Sequence, residues 1–501
     1  MRSLAALVLF VSLLYSSEPP KFAVTPGMQA AIEQVSPDSL KGNLSFIASD
    51  LLEGRNTPSP GLDLAAEYIA AQLRRAGLEP GGDDEYFQTA KMFVQEPNTE
   101  GFELKISDGG KNATFHAGDA SIALNKAMDL SGVPVFKLNF SDAAMIQVLT
   151  AEQIDGKVVF TEFSRGAMRS GQAAMSKLRT MKPALLLVLD RTGINRAARG
   201  GQLYDPENHG REQPPRISIS GEAAAQLFDA MPAGLTTATA SIHAAAPKQQ
   251  PVTLRNVVAI LRGSDPALKE TCVLVTAHYD HLGVRPAGEG DRIFNGANDD
   301  GSGTVSVIEL ATALSKLKQR PKRSIVFVTF FGEEKGGFGA RYYANHPVFP
   351  IAKTVADVNL EQVGRTDSTQ GPQIANATLT GFDYSNVADF LKTAGEITGV
   401  KVYKDEHNSD SYFGRSDNQA FAEMGVPSHT LCVAFQYSDY HGVGDEWRKI
   451  DYANMAKVDQ MVALGLIMLA DSREVPHWDP ANSKAAAYLK AWKGQHPSDL
   501  Q

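Results

Sequence analysis

The stretch Cys272-Val273-Leu274-Val275-Thr276-Ala277-His278-Tyr279-Asp280-His281 decides how this chain folds. Its first six residues form a nearly continuous apolar run, without the alternation of a strand that faces water on one side. Such a run reads as a strand buried on both faces, the mark of a parallel sheet. Comparable runs recur at 324–331, 355–360 and 428–435, with helical patterns at 304–317, 384–398 and 454–471. Strands and helices in this order imply an α/β fold with a mixed, mainly parallel sheet flanked by helices.

The residues that follow each run are the second signal. After 272–277 come His278, Tyr279, Asp280 and His281; after 324–331 come Gly332, Glu333 and Glu334; after 355–360 comes Glu361; beyond 428–435 lie Tyr440 and His441. Between the first two runs lies Asn295-Gly296-Ala297-Asn298-Asp299-Asp300-Gly301-Ser302-Gly303. Open α/β sheets bind ligands beyond the carboxyl ends of their strands. Five stretches therefore converge on one rim and bring His, Asp, Glu, Glu and His, which suit zinc or a similar first-row ion. Asp299, Glu334 and Glu361 would offset three of the four charges of an ion pair, and a bridging hydroxide the fourth. Glu333 and Glu334 are adjacent, so one can bind metal while the other serves as general base. Asp280 lies two residues beyond His278 on the same side of an extended chain, where it can accept from the imidazole. Taken singly, each feature is ordinary: a lone histidine after a strand is usually structural, and a Glu-Glu pair is usually a solvated edge. Joint placement at consecutive strand ends is what favours a site. Asp300 can exchange roles with Asp299 on this reading, and His281, His407 and His429 are assigned to the core or to support of the ligands.

Upstream, 62–76 has apolar residues at helical spacing and stops at Gly77. From about residue 103 the character changes to short β-type runs at 156–160, 184–189 and 216–220, with an Ala- and Met-rich helical pattern between the first two. The expected organisation is 1–20 a signal peptide, 24–104 the N-terminal part of the main domain, 105–250 a small inserted α/β domain, 251–475 the catalytic part, and 476–501 a peripheral polar tail. At 501 residues the chain accommodates two or three cores, at roughly 150 residues per domain. A net charge of −9 argues against a nucleic-acid partner. Arg2 precedes an apolar run from Leu4 to Tyr15, shorter than the ~20 residues of a stable membrane span. It reads as a secretory signal, with export to the periplasm or beyond, or alternatively as an uncleaved N-terminal anchor. Cys272 and Cys432 are either buried thiols or one disulfide, and no disulfide scaffold is possible.

Taken as a set, His278-Tyr279-Asp280-His281, the segment from Gly296 to Gly303, Phe331-Gly332-Glu333-Glu334, Asn359-Leu360-Glu361-Gln362-Val363-Gly364-Arg365 and Asp439-Tyr440-His441 resemble the zinc aminopeptidase family that also holds glutamate carboxypeptidases. The early stretch Asp50-Leu51-Leu52-Glu53-Gly54-Arg55 belongs to the same resemblance, and the insert is similar to a protease-associated (PA) domain. The resemblance implies two zinc ions bridged by Asp299, with Glu334 and His441 completing one and His278 and Glu361 the other. It implies Glu333 as general base and Tyr440 as a stabiliser of the oxyanion, and it places Arg365, Ser416 and Asp417 near the site. Two departures stand out: Glu361 where many members have Asp, and Asn418 where a His is expected. The implied activity is exopeptidase cleavage of peptide or dipeptide substrates, foremost as an aminopeptidase. Alternatives are a carboxypeptidase or dipeptidase, for which Arg365 and Arg415 are candidate carboxylate readers, a glutaminyl cyclase, and a receptor-like binding protein. The insert's position ahead of the catalytic segments suggests a cap that limits substrate length.

Overall fold

In a computed structural model of the chain, the described residues are 22–162, 174, 175, 177, 178, 180–191, 201–207, 214–368 and 373–497. The expected signal at 1–20 and most of the Ala- and Met-rich helical pattern lie outside them. The chain divides into two compact units, Met1–Gln88 with Asn256–Gln501, and Thr89–Arg255.

The first unit is built on the 256–261 part of strand β1 (Lys248–Leu261) and on β2 (Cys272–His278), β3 (Ser324–Phe330), β4 (Thr354–Leu360), β5 (Asn376–Leu379), β6 (Lys401–Tyr403) and β7 (Ser428–Cys432), in spatial order β6-β5-β7-β4-β2-β3-β1. The central four, β7-β4-β2-β3, are all parallel. β1 joins β3 antiparallel, and β5 joins β7 antiparallel. Every residue of β2, β3, β4 and β7 is buried, as expected for strands covered on both faces. The mixed, mainly parallel sheet read from the sequence is therefore observed. β7 ends at Cys432, short of the run that predicted it, because Val433 and Ala434 turn their N–H groups to the carbonyl of Gln362.

Helices α1 (Pro37–Ile47), α2 (Pro60–Arg75), α3 (Gly303–Ser315), α4 (Val387–Thr398) and α5 (Tyr452–Asp471) belong to this unit. α2 starts where the Ser59 hydroxyl accepts from Leu62 N and Pro60 occupies the first turn; it buries Leu62, Ala65, Ala66, Ile69, Ala70 and Leu73. α5 is long and apolar enough to cross a membrane, yet 83% of its most apolar window is buried in this unit.

The tail departs from the expectation of a peripheral segment. Trp478 is 1% exposed, donates to Gly425 O at 2.7 Å, and packs against Phe413 and Tyr488. A residue of that size secures burial through contacts that no local pattern announces.

The second unit holds an eight-stranded sheet in the order Lys111–Phe115, Glu103–Asp108, Gly234–Ala244, Met128–Asn139, Val158–Glu162, Leu185–Asp190, Arg216–Ser220, Ala120–Ala123. Val158–Glu162, Leu185–Asp190 and Arg216–Ser220 run parallel and carry the three runs seen in the sequence. The unit begins at Thr89, earlier than the anticipated 105, and Glu103–Asp108 pairs with Gly234–Ala244 inside its sheet. In the first unit the two ends of the chain that flank the insert meet. Val258 N donates to Tyr86 O at 2.7 Å, and Asn256 Nδ2 donates to Gln88 Oε1 at 2.9 Å.

One buried acid gives the first unit a pH signature. Asp459, in the middle of α5, accepts from the Ser306 hydroxyl of α3 at 2.8 Å, and burial pushes its carboxyl up to about 8. A folded-state pKa above the unfolded value favours the fold at low pH, and that advantage is lost as pH rises through the folded pKa. Asp459→Asn should therefore gain urea resistance relative to the wild type between pH 5 and pH 8. A constant difference in midpoint across that range would show that Asp459 is not protonated in the fold.

Candidate active site

Because β7, β4, β2 and β3 are parallel, their carboxyl ends lie along one edge. The register sets His278 at the end of β2 opposite Phe330 of β3, and Thr276 opposite Asn359 of β4. Glu333 and Glu334 leave the end of β3, and Glu361 leaves the end of β4. Asp299 enters from the turn before α3. That helix begins at Gly303, where a Cβ would stand 2.1 Å from Leu360 O, so glycine lets α3 start against the strand that presents Glu361.

Two groups of donors result. One atom each of His278, Asp299 and Glu361 lie within 4.8 Å of one another, and so do atoms of His281, Asp299 and Glu334. Asp299 belongs to both. His278 Nε2 is 3.4 Å from Asp299 Oδ1, and His441 Nε2 is 3.1 Å from Asp299 Oδ2 and 3.4 Å from Glu334 Oε1. His278 Nε2, Asp299 Oδ2, Glu334 Oε1 and Glu361 Oε2 are buried without a hydrogen-bond partner. Buried polar atoms are nearly always satisfied. Orphaned imidazole and carboxylate atoms that converge are what a cation would satisfy, and the donor set of nitrogen and oxygen suits zinc.

Residues 256–465 match the model of peptidase family M28. The chain is 31% identical over 157 residues to aminopeptidase YwaD of Bacillus subtilis, covering 31% of this chain and 30% of that protein. It is 29% identical over 199 residues to a vacuolar membrane protease of Tuber melanosporum, covering 38% of this chain and 18% of that protein. The matched stretches thus span less than a third of these relatives' own lengths. An aminopeptidase structure from Aneurinibacillus sp. strain AM-1 covers 91% of this chain and 98% of its own, with a TM-score of 0.55 and 19% identity, and shares the fold.

Within the matched segment the glutamate pair is divided by geometry. Glu334 is 7% exposed, and its Oε1 lies 2.8 Å from His281 Nδ1. Glu333 is 18% exposed, and its Oε2 is 4.0 Å from His278 Nε2. Glu334 therefore turns inward to the donors and Glu333 faces the opening. Burial raises both carboxyls, but His281 and His441 overcome it at Glu334 and hold that group at about 2. At Glu333 burial wins, helped by Glu361, Asp417 and Glu334, and the carboxyl sits well above its usual range. Burial also raises the Tyr440 hydroxyl, keeping it protonated, and the Tyr440 ring stacks on His441 at 4.1 Å.

Asp280 has a wider role than the tautomer control anticipated. Its Oδ1 accepts from Glu333 N at 3.0 Å and its Oδ2 from Thr57 Oγ1 at 3.0 Å. His278 Nδ1 lies nearer the Asp280 carbonyl, at 3.2 Å, than the carboxylate, at 3.5 Å. Asp300 belongs to neither donor group, and its Oδ1 accepts from Gly303 N at 3.0 Å and Gln362 N at 3.3 Å. Asp299 is thus the member of the pair that reaches the centre.

Three residues support the centre in ways the sequence did not spell out. His281 was assigned to the core or to ligand support, yet its ring shares the centre with Asp299 and Glu334; its signal was the His-x-x-His spacing with His278. Asp445 accepts from Asn298 N at 3.0 Å, Asp299 N at 3.1 Å and Tyr437 Oη at 3.0 Å, and so holds the Asp299 turn. No motif marked it. Arg365 was a candidate carboxylate reader, but it is bound bidentately to Asp367, donates to Asp439 at 3.0 Å, and lies over the Tyr437 ring. It fastens the loop that carries His441. His429 is a core residue, held neutral by burial at about 4, and His407 is exposed. Beside Glu361 a cleft of about 300 Å³, open solvent included, is lined by Thr380, Tyr412, Arg415, Cys432 and Phe435.

Zinc added to chelator-stripped protein should raise the unfolding temperature, since a ligand that binds only the native state stabilises it by about 2.7 kcal/mol at a hundredfold excess over Kd. His278→Gln should shrink that rise. No rise in the wild type would remove the metal-centre reading.

Proposed function

We propose that this chain is a zinc-dependent exopeptidase, foremost an aminopeptidase, with two zinc ions per chain. The observation that carries the reading is the pair of buried donor groups that share Asp299. His278, Asp299 and Glu361 would hold one ion, and Asp299, Glu334 and His441 the other, with His281 beside them. The names of YwaD and the vacuolar protease support peptide cleavage. A metal pair bound there supplies a Lewis acid for the scissile carbonyl and an acidified water at neutral pH.

The protein's own groups do the rest. Glu333 takes a proton from the attacking water and returns it to the leaving amine nitrogen. Its raised proton affinity suits a base that must hold the proton between the two transfers. Tyr440, half-exposed beside His441 and protonated, donates to the oxyanion of the tetrahedral intermediate. The cleft beside Glu361 receives a side chain of the substrate.

A second reading, dipeptidase or carboxypeptidase, rests on Arg415. Its guanidinium lies over the Tyr412 ring at 4.3 Å and pairs with no carboxylate among the described residues. Unlike Arg365, it is available to a substrate carboxylate. We further propose export through the N-terminal apolar run and a PA-type insert that limits substrate length.

Glu333→Gln should lower kcat by about 10²–10⁴, the usual worth of a general base, while zinc content stays at the wild-type level; near-normal turnover would reassign the base. A peptide series with free or acetylated N-termini and free or amidated C-termini separates the readings. Loss of cleavage on acetylation alone identifies an aminopeptidase, loss on amidation alone a carboxypeptidase, and loss with either block a dipeptidase.

A further inference from the structure

The segment ahead of α2 contributes to this centre although none of its residues is a donor. Arg55 is fully buried, and its side chain makes four hydrogen bonds, all to backbone carbonyls. Nε donates to Tyr279 O at 2.7 Å, Nη1 to Ile47 O at 2.6 Å and Asn295 O at 2.7 Å, and Nη2 to Gly296 O at 2.9 Å. Tyr279 lies between His278 and Asp280. Asn295 and Gly296 lead into the turn that presents Asp299. One planar guanidinium thus spans the two turns that carry His278, His281 and Asp299. The Arg55 backbone adds to the clamp, because its carbonyl accepts from His281 N at 3.1 Å.

Two residues on, the Thr57 hydroxyl donates to Asp280 Oδ2, and the other oxygen of that carboxylate holds Glu333 N. The local backbone is shaped for this reach. Glu53, Gly54 and Arg55 all have positive φ, and a Cβ on Gly54 would stand 2.4 Å from Phe294 O. Ordinary side chains rarely adopt that conformation, so contacts made elsewhere must hold it.

The chemistry of the clamp is specific to guanidinium. Arg55 forms no ion pair within 4 Å among the described residues, although Asp280, Asp445, Asp300 and Asp299 lie around it at longer range. A buried cation solvated only by carbonyls, inside a ring of acids, offsets part of their mutual repulsion while leaving their oxygens free. Lysine would keep the charge, but it lacks the planar fork that reaches several carbonyls at once.

We propose that Arg55 and Thr57 are positioning residues of the metal centre: Arg55 fixes the spacing between the His278 turn and the Asp299 turn, and Thr57 fixes Asp280 and through it Glu333. This rests on the reading of the rim as a zinc site. The test uses full-length Arg55→Lys and Thr57→Val, with Arg323→Lys as a control for loss of a buried arginine remote from the rim. Arg323 is 2% exposed and donates to the Ser472 carbonyl. Zinc affinity is measured by chelator competition, and the cobalt-substituted visible spectrum reports donor geometry.

Arg55→Lys should weaken zinc binding about 10–100-fold, the usual cost of losing a group that orients metal ligands, and should shift the cobalt spectrum. Thr57→Val should lower kcat with little change in KM. Arg323→Lys should lower the unfolding temperature and leave zinc affinity and spectrum as in the wild type. Wild-type affinity and spectrum in Arg55→Lys, together with wild-type kcat in Thr57→Val, would overturn the inference while the zinc reading stands. Wild-type protein that binds no zinc would overturn both. If Arg55→Lys does not fold, the kcat and KM of Thr57→Val decide, because that change removes a single hydrogen bond.

Discussion

Crowded negative charge is the constraint on which this structure depends. Asp280, Asp299, Asp300, Glu333, Glu334, Glu361, Asp417 and Asp445 gather at the ends of four parallel strands, most of them buried. Burial and like charge both disfavour ionised carboxylates. The fold separates two classes. Asp280, Asp300 and Asp445 accept from backbone N–H groups, although burial still raises the Asp300 and Asp445 carboxyls. Asp299, Glu334 and Glu361 keep at least one oxygen bare and aimed inward. Asp417 fits neither class. Both its oxygens are buried without a partner, and burial pushes its carboxyl up to about 8.

The same separation explains how adjacent glutamates take different parts. Asp280 fixes the Glu333 backbone, and Gly336 and Gly337 donate their N–H groups to the Glu333 carbonyl. With the backbone held there, successive side chains diverge: Glu334 goes in toward the two histidines and Glu333 toward the opening. One dipeptide thus presents a carboxylate to the donor cluster and another to the opening, and neither needs a loop of its own.

Much of this was legible in the sequence, and the reason is physical. Strands covered on both faces have no solvent side, so 272–277 and 355–360 read as unbroken apolar runs. Parallel strands place their last residues together, so a histidine here and a glutamate there could be assigned to one rim before any contact was known. What stayed hidden depends on contacts between distant residues. Asp445 acts through backbone N–H groups of Asn298 and Asp299, which have no sequence signature. Arg365 was visible as a cation, but its pairing with Asp439 was not. His281 lay inside a quoted motif, and only the fold shows which way its ring turns. Trp478 was read as part of a polar tail because a single aromatic residue leaves no periodicity.

The joint at Tyr86–Gln88 and Asn256–Val258 has a consequence for how this family of chains can vary. Two short hydrogen bonds tie the points where the intervening segment departs and returns. To the donor-bearing unit, that whole segment is one closed loop. Closure entropy grows only logarithmically with loop length, by about 0.6 kcal/mol per doubling. A chain with a much shorter or longer intervening segment would therefore hold the same donors at nearly the same thermodynamic cost. Selection can then rework or replace that segment while the joint keeps the donor-bearing unit closed.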